Sequence, residues 1–335
     1  MVHQFTLTTV SRMPATPALD FSNKLILAPL AGISDRPFRR LCRSFGAELA
    51  VSEMISAKGL VYGDRKSRIL LAPDASDRPH WVQLFGTDPE IIREAAAIAI
   101  EHGAELIDLN MGCPVRKVVK TGAGAALLKD PARAAAIMRA LSRPPAIPFT
   151  VKIRTGWDPR RPVLEIFIRL AAEFGARALT CHPRTATQMF SGRADWKRLV
   201  KAAGKTPANL PIIGSGDLRE PQEVAGALEK PGIAAVMLGR GTLGRPWLFR
   251  ECRRLIEKRQ AWQPEAALKL KTIREHGTLL KAEYGDKTGL LLYRKHLAWY
   301  IRGVPGAAAF RSRLFTLKSF AELDKALAGV FHGPG

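Results

Sequence analysis

Acidic residues are scarce in this sequence. Its 335 residues carry 30 Asp and Glu against 52 Lys and Arg, a formal net charge of +22 at pH 7. A surplus of that size points to a polyanionic partner, most plausibly nucleic acid, set against the plainer reading of a basic soluble enzyme. Cysteine is sparse too. Cys42, Cys113, Cys181 and Cys252 stand about 70 residues apart, with no CxxC pair and no histidine pair at ligand spacing. That argues against a disulfide framework and a structural zinc site, so no metal is expected and a reducing cytoplasm fits. Long apolar runs are missing. A membrane span needs about 18 consecutive apolar residues, whereas Leu25–Ile33 is short and broken by Pro29. The N-terminus lacks the basic stretch, apolar run and cleavage site of a signal peptide, and residues 1–22 receive no role. No block of five or six like charges occurs, which argues against a disordered basic tail. A cytoplasmic monomer without membrane contact is the expectation.

The positive charge that is present decorates folded surface. From Glu251 onward 16 basic residues face 8 acidic ones, and the rest of the chain is also basic. Local clusters are Arg36/Arg39/Arg40/Arg43, Arg65/Lys66/Arg68, Arg116/Lys117/Lys120 and Arg294/Lys295. Any one of them reads by default as a solvated helix face. Their joint excess is harder to dismiss, because like charges oppose compaction.

Eight short apolar runs recur, each followed by turn residues and most of them by a helical pattern. They are Leu25–Ala28, Leu49–Ser52, His80–Phe85, Leu106–Leu109, Phe149–Ile153, Ala178–Cys181, Pro211–Gly214 and Ala234–Leu238. Most are uninterrupted rather than alternating, as strands covered on both faces are. The βα rhythm predicts an α/β fold, a (β/α)8 TIM barrel over residues 23–258, with an open doubly wound sheet as rival. Beyond Pro264 strand signals stop. Helical periodicity over Leu268–Tyr284, Leu290–Ile301 and Leu314–Leu327 predicts a small all-helical domain over 259–335.

In such a barrel chemistry sits at the C-terminal ends of the strands. There the sequence places Pro29-Leu30-Ala31, Gln83, Asn110 to Cys113, Lys152, His182, Ser215-Gly216-Asp217 and Gly239-Arg240. Singly, each has a bland reading: a buried amide, a snorkelling lysine, a core histidine. Together they describe a site. The glycines of the last two turns let backbone N–H groups approach an anion, and barrels commonly bind phosphate after strands seven and eight. Gly239 to Gly244 also matches GxGxxG, but no acid follows at the spacing a dinucleotide fold needs. Lys152, Gln83 and the phosphate turns suit FMN, a cation serving the N1/O2 edge and an amide the N3/O4 edge. Cys113 then faces the same ring, either as a protonated thiol able to act as an acid or as a thiolate nucleophile activated by Arg116 and Lys117. Cys42 and Cys252 read as inert, and Cys181 stays ambiguous.

These residues also carry a resemblance. Leu27 to Gly32 (LAPLAG), Asp35 to Phe38 (DRPF), Asp108 to Pro114 (DLNMGCP) with Lys117, and Lys152 to Gly156 (KIRTG) resemble the tRNA-dihydrouridine synthases. Ser52-Glu-Met54, Gly239-Arg-Gly241, Gly244 to Trp247, Arg294-Lys-His296 and Trp299-Tyr300 extend the match. The resemblance implies an FMN enzyme that reduces the C5=C6 bond of particular uridines in tRNA, with NADPH as reductant and Cys113 as the acid that protonates C5. It implies that Asn110 helps place the uracil and that Gln83 and Lys152 hold the isoalloxazine. It further implies contacts through backbone from Pro29, Leu30 and Ala31, and a ribityl and phosphate site at His182, Ser215, Gly216, Asp217, Gly239 and Arg240. The helical domain would grip tRNA, with Arg116, Lys117, Arg294 and Lys295 as the cations that meet it. Two departures stand out: Ser215 where the family commonly has Asn, and Pro183, which removes a backbone donor. A flavin barrel acting on a small molecule leaves the charge unused, and a non-catalytic RNA-binding protein leaves Cys113, Lys152 and Gln83 unused.

Overall fold

The computed structural model describes residues 19–72 and 74–332. The apolar runs close a parallel barrel. Its strands are β1 (Lys24–Leu27), β2 (Leu49–Ser56), β3 (Trp81–Phe85), β4 (Leu106–Met111), β5 (Phe149–Arg154), β6 (Leu179–His182), β7 (Ile212–Ser215) and β8 (Ile233–Leu238). They pair in chain order, and β1 meets β8 with Leu27 opposite Leu238, so the sheet has no free edge. An open doubly wound sheet is thereby excluded.

Around the barrel run α1 (Arg36–Ser44), α2 (Ala57–Val61), α3 (Arg65–Leu71), α4 (Pro89–Glu101), α5 (Arg116–Val119), α6 (Pro131–Ser142), α7 (Leu164–Glu173), α8 (Trp196–Ala203), α9 (Pro221–Leu228) and α10 (Leu248–Lys258). The starts of α1, α4 and α6 follow from local chemistry. Asp35, Asp88 and Asp130 each accept a backbone N–H of the first turn, and a proline opens each helix where its missing N–H costs nothing. The strand-to-helix layer is almost wholly aliphatic. A second layer fills the barrel's lower interior with Ile26, Val51, Trp81, Leu106, Ile213 and Met237. Phe21 closes that end, 2% exposed and 5.7 Å from the Trp81 ring. The segment before β1, left without a role above, therefore contributes a plug; residues 1–18 lie outside the described residues.

The tail consists of α11 (Ala266–Tyr300), α12 (Ala307–Arg313) and α13 (Phe320–His332). Gly285 breaks α11 at φ 72°, folding its two halves together. At Gly277 a Cβ would lie 2.8 Å from the Tyr293 ring, so the close approach of the halves requires glycine there. The helix expected over Leu314–Leu327 begins only at Phe320, and Leu314–Ser319 forms the turn that follows α12. Ser319 Oγ accepts the Glu322 N–H and starts α13 afresh, while the Glu322 carboxylate turns back to the Lys318 N–H. The tail core of Ile273, Leu280, Leu297, Leu314, Leu323 and Leu327 also takes in Phe45 and Trp247 from the barrel. Among the described residues no helix is long and apolar enough to cross a membrane.

Candidate active site

Strand register decides which side chains meet at the rim. Gln83 on β3 lies opposite Asp108 on β4, and Asp108 and Asn110 lie opposite Thr150 and Lys152 on β5. Gln83, Asn110 and Lys152, with His182 from β6 and the turns after β7 and β8, surround a cleft of about 250 Å³. Every cofactor-binding residue expected from the sequence lines it, as do Asn110 and Cys113.

A line of hydrogen bonds runs through the barrel interior to the Cys113 loop. Trp81 Nε1 donates to Thr150 Oγ1 at 3.1 Å, and Thr150 Oγ1 donates to Asp108 Oδ1 at 2.6 Å. Gln83 Nε2 donates to Asp108 Oδ2 at 2.6 Å, and Asn110 Nδ2 donates to Gln83 Oε1 at 2.8 Å. Asn110 Oδ1 then accepts the N–H of Gly112 at 3.2 Å and of Cys113 at 2.9 Å. The one weak link is the Nδ2 contact of Asn110 with Met54 Sδ at 3.7 Å.

The loop is pinned from other sides as well. Arg154 Nε donates to the Gly112 carbonyl at 3.1 Å, and its Nη1 reaches the carbonyls of Thr185 and Met189. Gly124 sits at φ 60°, where a Cβ would come within 2.7 Å of the Cys113 carbonyl. Burial pushes the Cys113 thiol upward, outweighing the pull of the Val115 N–H, Arg154 and Lys152. Cys113 is a protonated thiol at neutral pH. Arg116 and Lys117, the cations expected to activate it, stand exposed on α5. Cys181 is fully buried and its thiol is pushed up to about 12, chiefly by burial, which makes it a packing residue.

The other end of the cleft is cationic. Lys152, Arg154, Arg219 and Arg240 line it with Asp217 as the single carboxylate. Asp217 holds φ 55°, accepts from Ala194 N–H and Arg184 Nη2 at 2.7 Å, and lies 3.7 Å from Arg240. His182 Nε2 faces Arg184 Nη1 at 3.1 Å, which makes that nitrogen the acceptor. Burial, then Lys152 and three arginines, hold His182 near 2, so its ring is neutral. A Cβ on Gly216 would meet that ring at 2.6 Å, and one on Gly241 would meet the Leu218 carbonyl at 2.5 Å. Backbone approaches closely there because nothing larger fits. Ser215 Oγ donates to the Met237 carbonyl at 2.9 Å and ties β7 to β8.

Two groups have partners of their own. Leu30 donates its N–H to Ser34 Oγ and accepts from Ile33 and Ser34, so it offers the cleft a side chain rather than an N–H. Arg294 and Lys295 do not reach the cleft. Arg294 donates to the Leu317 carbonyl within the tail, and Lys295 donates to the Gly32 carbonyl at 2.8 Å. Residues missed by the sequence reading include Arg184 and Phe190, a half-exposed ring with the Arg240 guanidinium 4.2 Å above it. Position within a long loop gave no signal for Phe190.

The sequence model of the family described as Dihydrouridine synthase (Dus) matches residues 26–331. The chain is 39% identical over 297 residues to tRNA-dihydrouridine synthase B of Pseudomonas aeruginosa, covering 88% of this chain and 89% of that protein. With the Pasteurella multocida protein of the same name it shares 40% identity over 312 residues, covering 92% and 93%. A solved 2-naphthoyl-CoA reductase in complex with 2-naphthoyl-CoA aligns with a TM-score of 0.53 at 13% identity, over 70% of this chain and 50% of that one. That last likeness concerns the fold alone. The chain belongs to the dihydrouridine synthase family.

Proposed function

We propose that the protein reduces the C5=C6 bond of particular uridines in tRNA to give 5,6-dihydrouridine. One observation carries the reading: a thiol kept protonated, on a pinned loop, beside a cleft whose floor presents an amide and a lysine. Cys113 gives its proton to C5. The Asn110 Nδ2 hydrogen that faces only the Met54 sulfur is the one a uracil carbonyl can recruit.

The residues present fit FMN. Four cations against one carboxylate call for an anion, and the glycines of two turns leave room for it. When bound there, FMN would supply the hydride for C6, with NADPH as its reductant. Gln83 and Lys152 would hold the isoalloxazine, with contacts from Pro29, Leu30 and Ala31. His182, Ser215, Gly216, Asp217, Gly239 and Arg240 would hold the ribityl and phosphate. Neutral His182 donates from Nδ1 without adding charge.

Residues 23–258 form the catalytic domain and 259–335 the tRNA-recognition domain. Exposed Arg116 and Lys117 flank the Cys113 loop and meet phosphates, while the target base leaves its stack to reach the cleft. Arg294 and Lys295 serve by holding the tail in place. The enzyme works as a cytoplasmic monomer without metal.

The test is direct. Purified protein supplied with FMN, NADPH and unmodified tRNA should raise the mass of specific uridines by two hydrogens. Flavin-loaded protein that leaves every uridine unchanged overturns the reading.

A further inference from the structure

Asp108 belongs to the motif around Cys113, yet nothing above gives it work in the reaction. Its side chain is wholly buried between β3 and β5. Both carboxylate oxygens take hydrogen bonds, one from Gln83 Nε2 and one from Thr150 Oγ1. Thr150 Oγ1, which accepts from Trp81 Nε1, turns its one hydrogen to Asp108, and Gln83 offers its NH2 group. These two donors and Lys152 favour the carboxylate against burial, which raises the Asp108 carboxyl above its ordinary value.

Two consequences follow from its place in the sheet. A carboxylate only accepts, so Gln83 must turn its nitrogen inward and its oxygen to Asn110. The backbone N–H groups of Gly112 and Cys113 only donate, so Asn110 must turn its oxygen to them. The line of amides is thus anchored at both ends. In addition, Lys152 follows Thr150 by two residues on β5 and shares its face, opposite Asn110 and diagonal to Asp108. The charged and titratable groups acting on Lys152 are Asp108 from β4, Arg154 from β5, Cys181 and His182 from β6, and Cys113. Burial and Arg154 push its ammonium toward losing the proton, and Asp108 opposes them.

We propose that Asp108 is a positioning residue of the reduction, which locks the Gln83 and Asn110 amides and keeps Lys152 an ammonium ion for the flavin. The proposal rests on the flavin reading above. It needs no contact between Asp108 and flavin or uracil, and it involves no bond making or breaking at Asp108.

FMN binding to apoprotein, followed by quenching of flavin fluorescence from pH 6 to 10, tests it. Asp108→Asn keeps the shape and removes the charge. Its Lys152 should lose the proton earlier, so the alkaline fall in FMN affinity should move down by about one pH unit or more, roughly ten-fold in affinity on that limb. In a Lys152→Arg background the guanidinium holds its proton, and Asp108→Asn should no longer move the limb. A limb that stays where wild type has it overturns the proposal. Wild-type protein that binds no FMN at any pH overturns the flavin reading instead, so the two failures are distinct.

A second measurement stands if Asp108→Asn alone does not fold. Lys152→Met leaves the carboxylate buried without its cation. Asp108→Asn/Lys152→Met should therefore melt above Lys152→Met; melting at or below it also overturns the proposal.

Discussion

The cleft and the joint between barrel and tail are both buried, and they treat polar groups in opposite ways. In the cleft Gln83, Asp108, Asn110 and Thr150 have their polar atoms engaged, in a line ending on the Cys113 loop. In the joint His276 keeps one bond, from Nδ1 to the Tyr300 hydroxyl at 3.0 Å, and His296 has none. Those two rings lie 4.3 Å apart, each against Phe38 of α1. Hydrogen bonds have direction and fix atoms to tenths of an ångström, whereas ring packing holds two surfaces together with less angular constraint. The rim must place one thiol and two amides. The joint must keep a tail attached.

The largest expected effect isolates the cleft. Cys113→Ala removes the acid and should lower dihydrouridine formation by about 10²- to 10⁴-fold while FMN binding stays. Because the thiol is pushed up rather than down, wild-type turnover should hold through neutral pH and fall only as Cys113 deprotonates in alkali. Undiminished turnover by the variant, or a thiol alkylated as readily at pH 6 as at pH 9, would contradict the assignment.

Next comes a break in the joint alone. Gly244 has φ 71°, and a Cβ there would collide with the Trp299 carbonyl of α11. Gly244→Ala combines a left-handed backbone with that collision, at a cost of about 2–5 kcal/mol. The tail should loosen and tRNA affinity drop, with FMN affinity unchanged. If both affinities fall together, cleft and joint are not the separate systems described above.

Legibility in the sequence divides along the same boundary. Uninterrupted apolar runs are local signals, so all eight strands could be read directly, and the Asp-Pro starts of α4 and α6 are equally local. The rim residues followed, since strand ends are fixed once strands are. The hydrogen-bond line could not be read, because Gln83, Asp108 and Thr150 meet across 25 and 42 residues and depend on inter-strand register. Thr150 carries no chemical mark in the sequence. In the tail, Ser319 and Glu322 did mark a helix start, but helical periodicity across Leu314–Leu327 concealed it. Phe21 gave no signal, because a single aromatic before the first strand matters only once the barrel end beneath it exists.

Acid should weaken the joint, to a smaller extent than Gly244→Ala. Burial holds His276 near 3 and His296 far below its ordinary range. Unfolded histidines take up protons below about 6.5, so both rings contribute stability above that pH and lose it as pH falls. Asp35 works the other way: burial raises its carboxyl to about 7, giving stability in acid that is lost as pH rises through 7. Between pH 6.5 and 4 two histidines oppose one aspartate. The net is about one proton, or ~1.4 kcal/mol lost per pH unit. Urea unfolding at pH 5 and 6.5 measures it, and His296→Leu should reduce the wild-type slope by about one proton, leaving the part that buried His80 and His182 carry.

The smallest effect separates two lysines that carry the same expectation. Lys117 is exposed beside the Cys113 loop, whereas Lys295 donates to the Gly32 carbonyl, and the Gly32 N–H in turn donates to Glu53. A phosphate contact releases counterions when it forms, so Lys117→Ala should reduce the slope of log K for tRNA against log salt by about 1. Lys295→Ala should leave that slope unchanged. Its removal takes one charged hydrogen bond from the turn that lines the cleft, about 1–2 kcal/mol at most for an exposed donor. The loss should show as faster FMN release, because Leu30 and Ala31 ride on that turn. A reduced salt slope with unchanged FMN release would return Lys295 to the tRNA surface and make the joint part of the binding face.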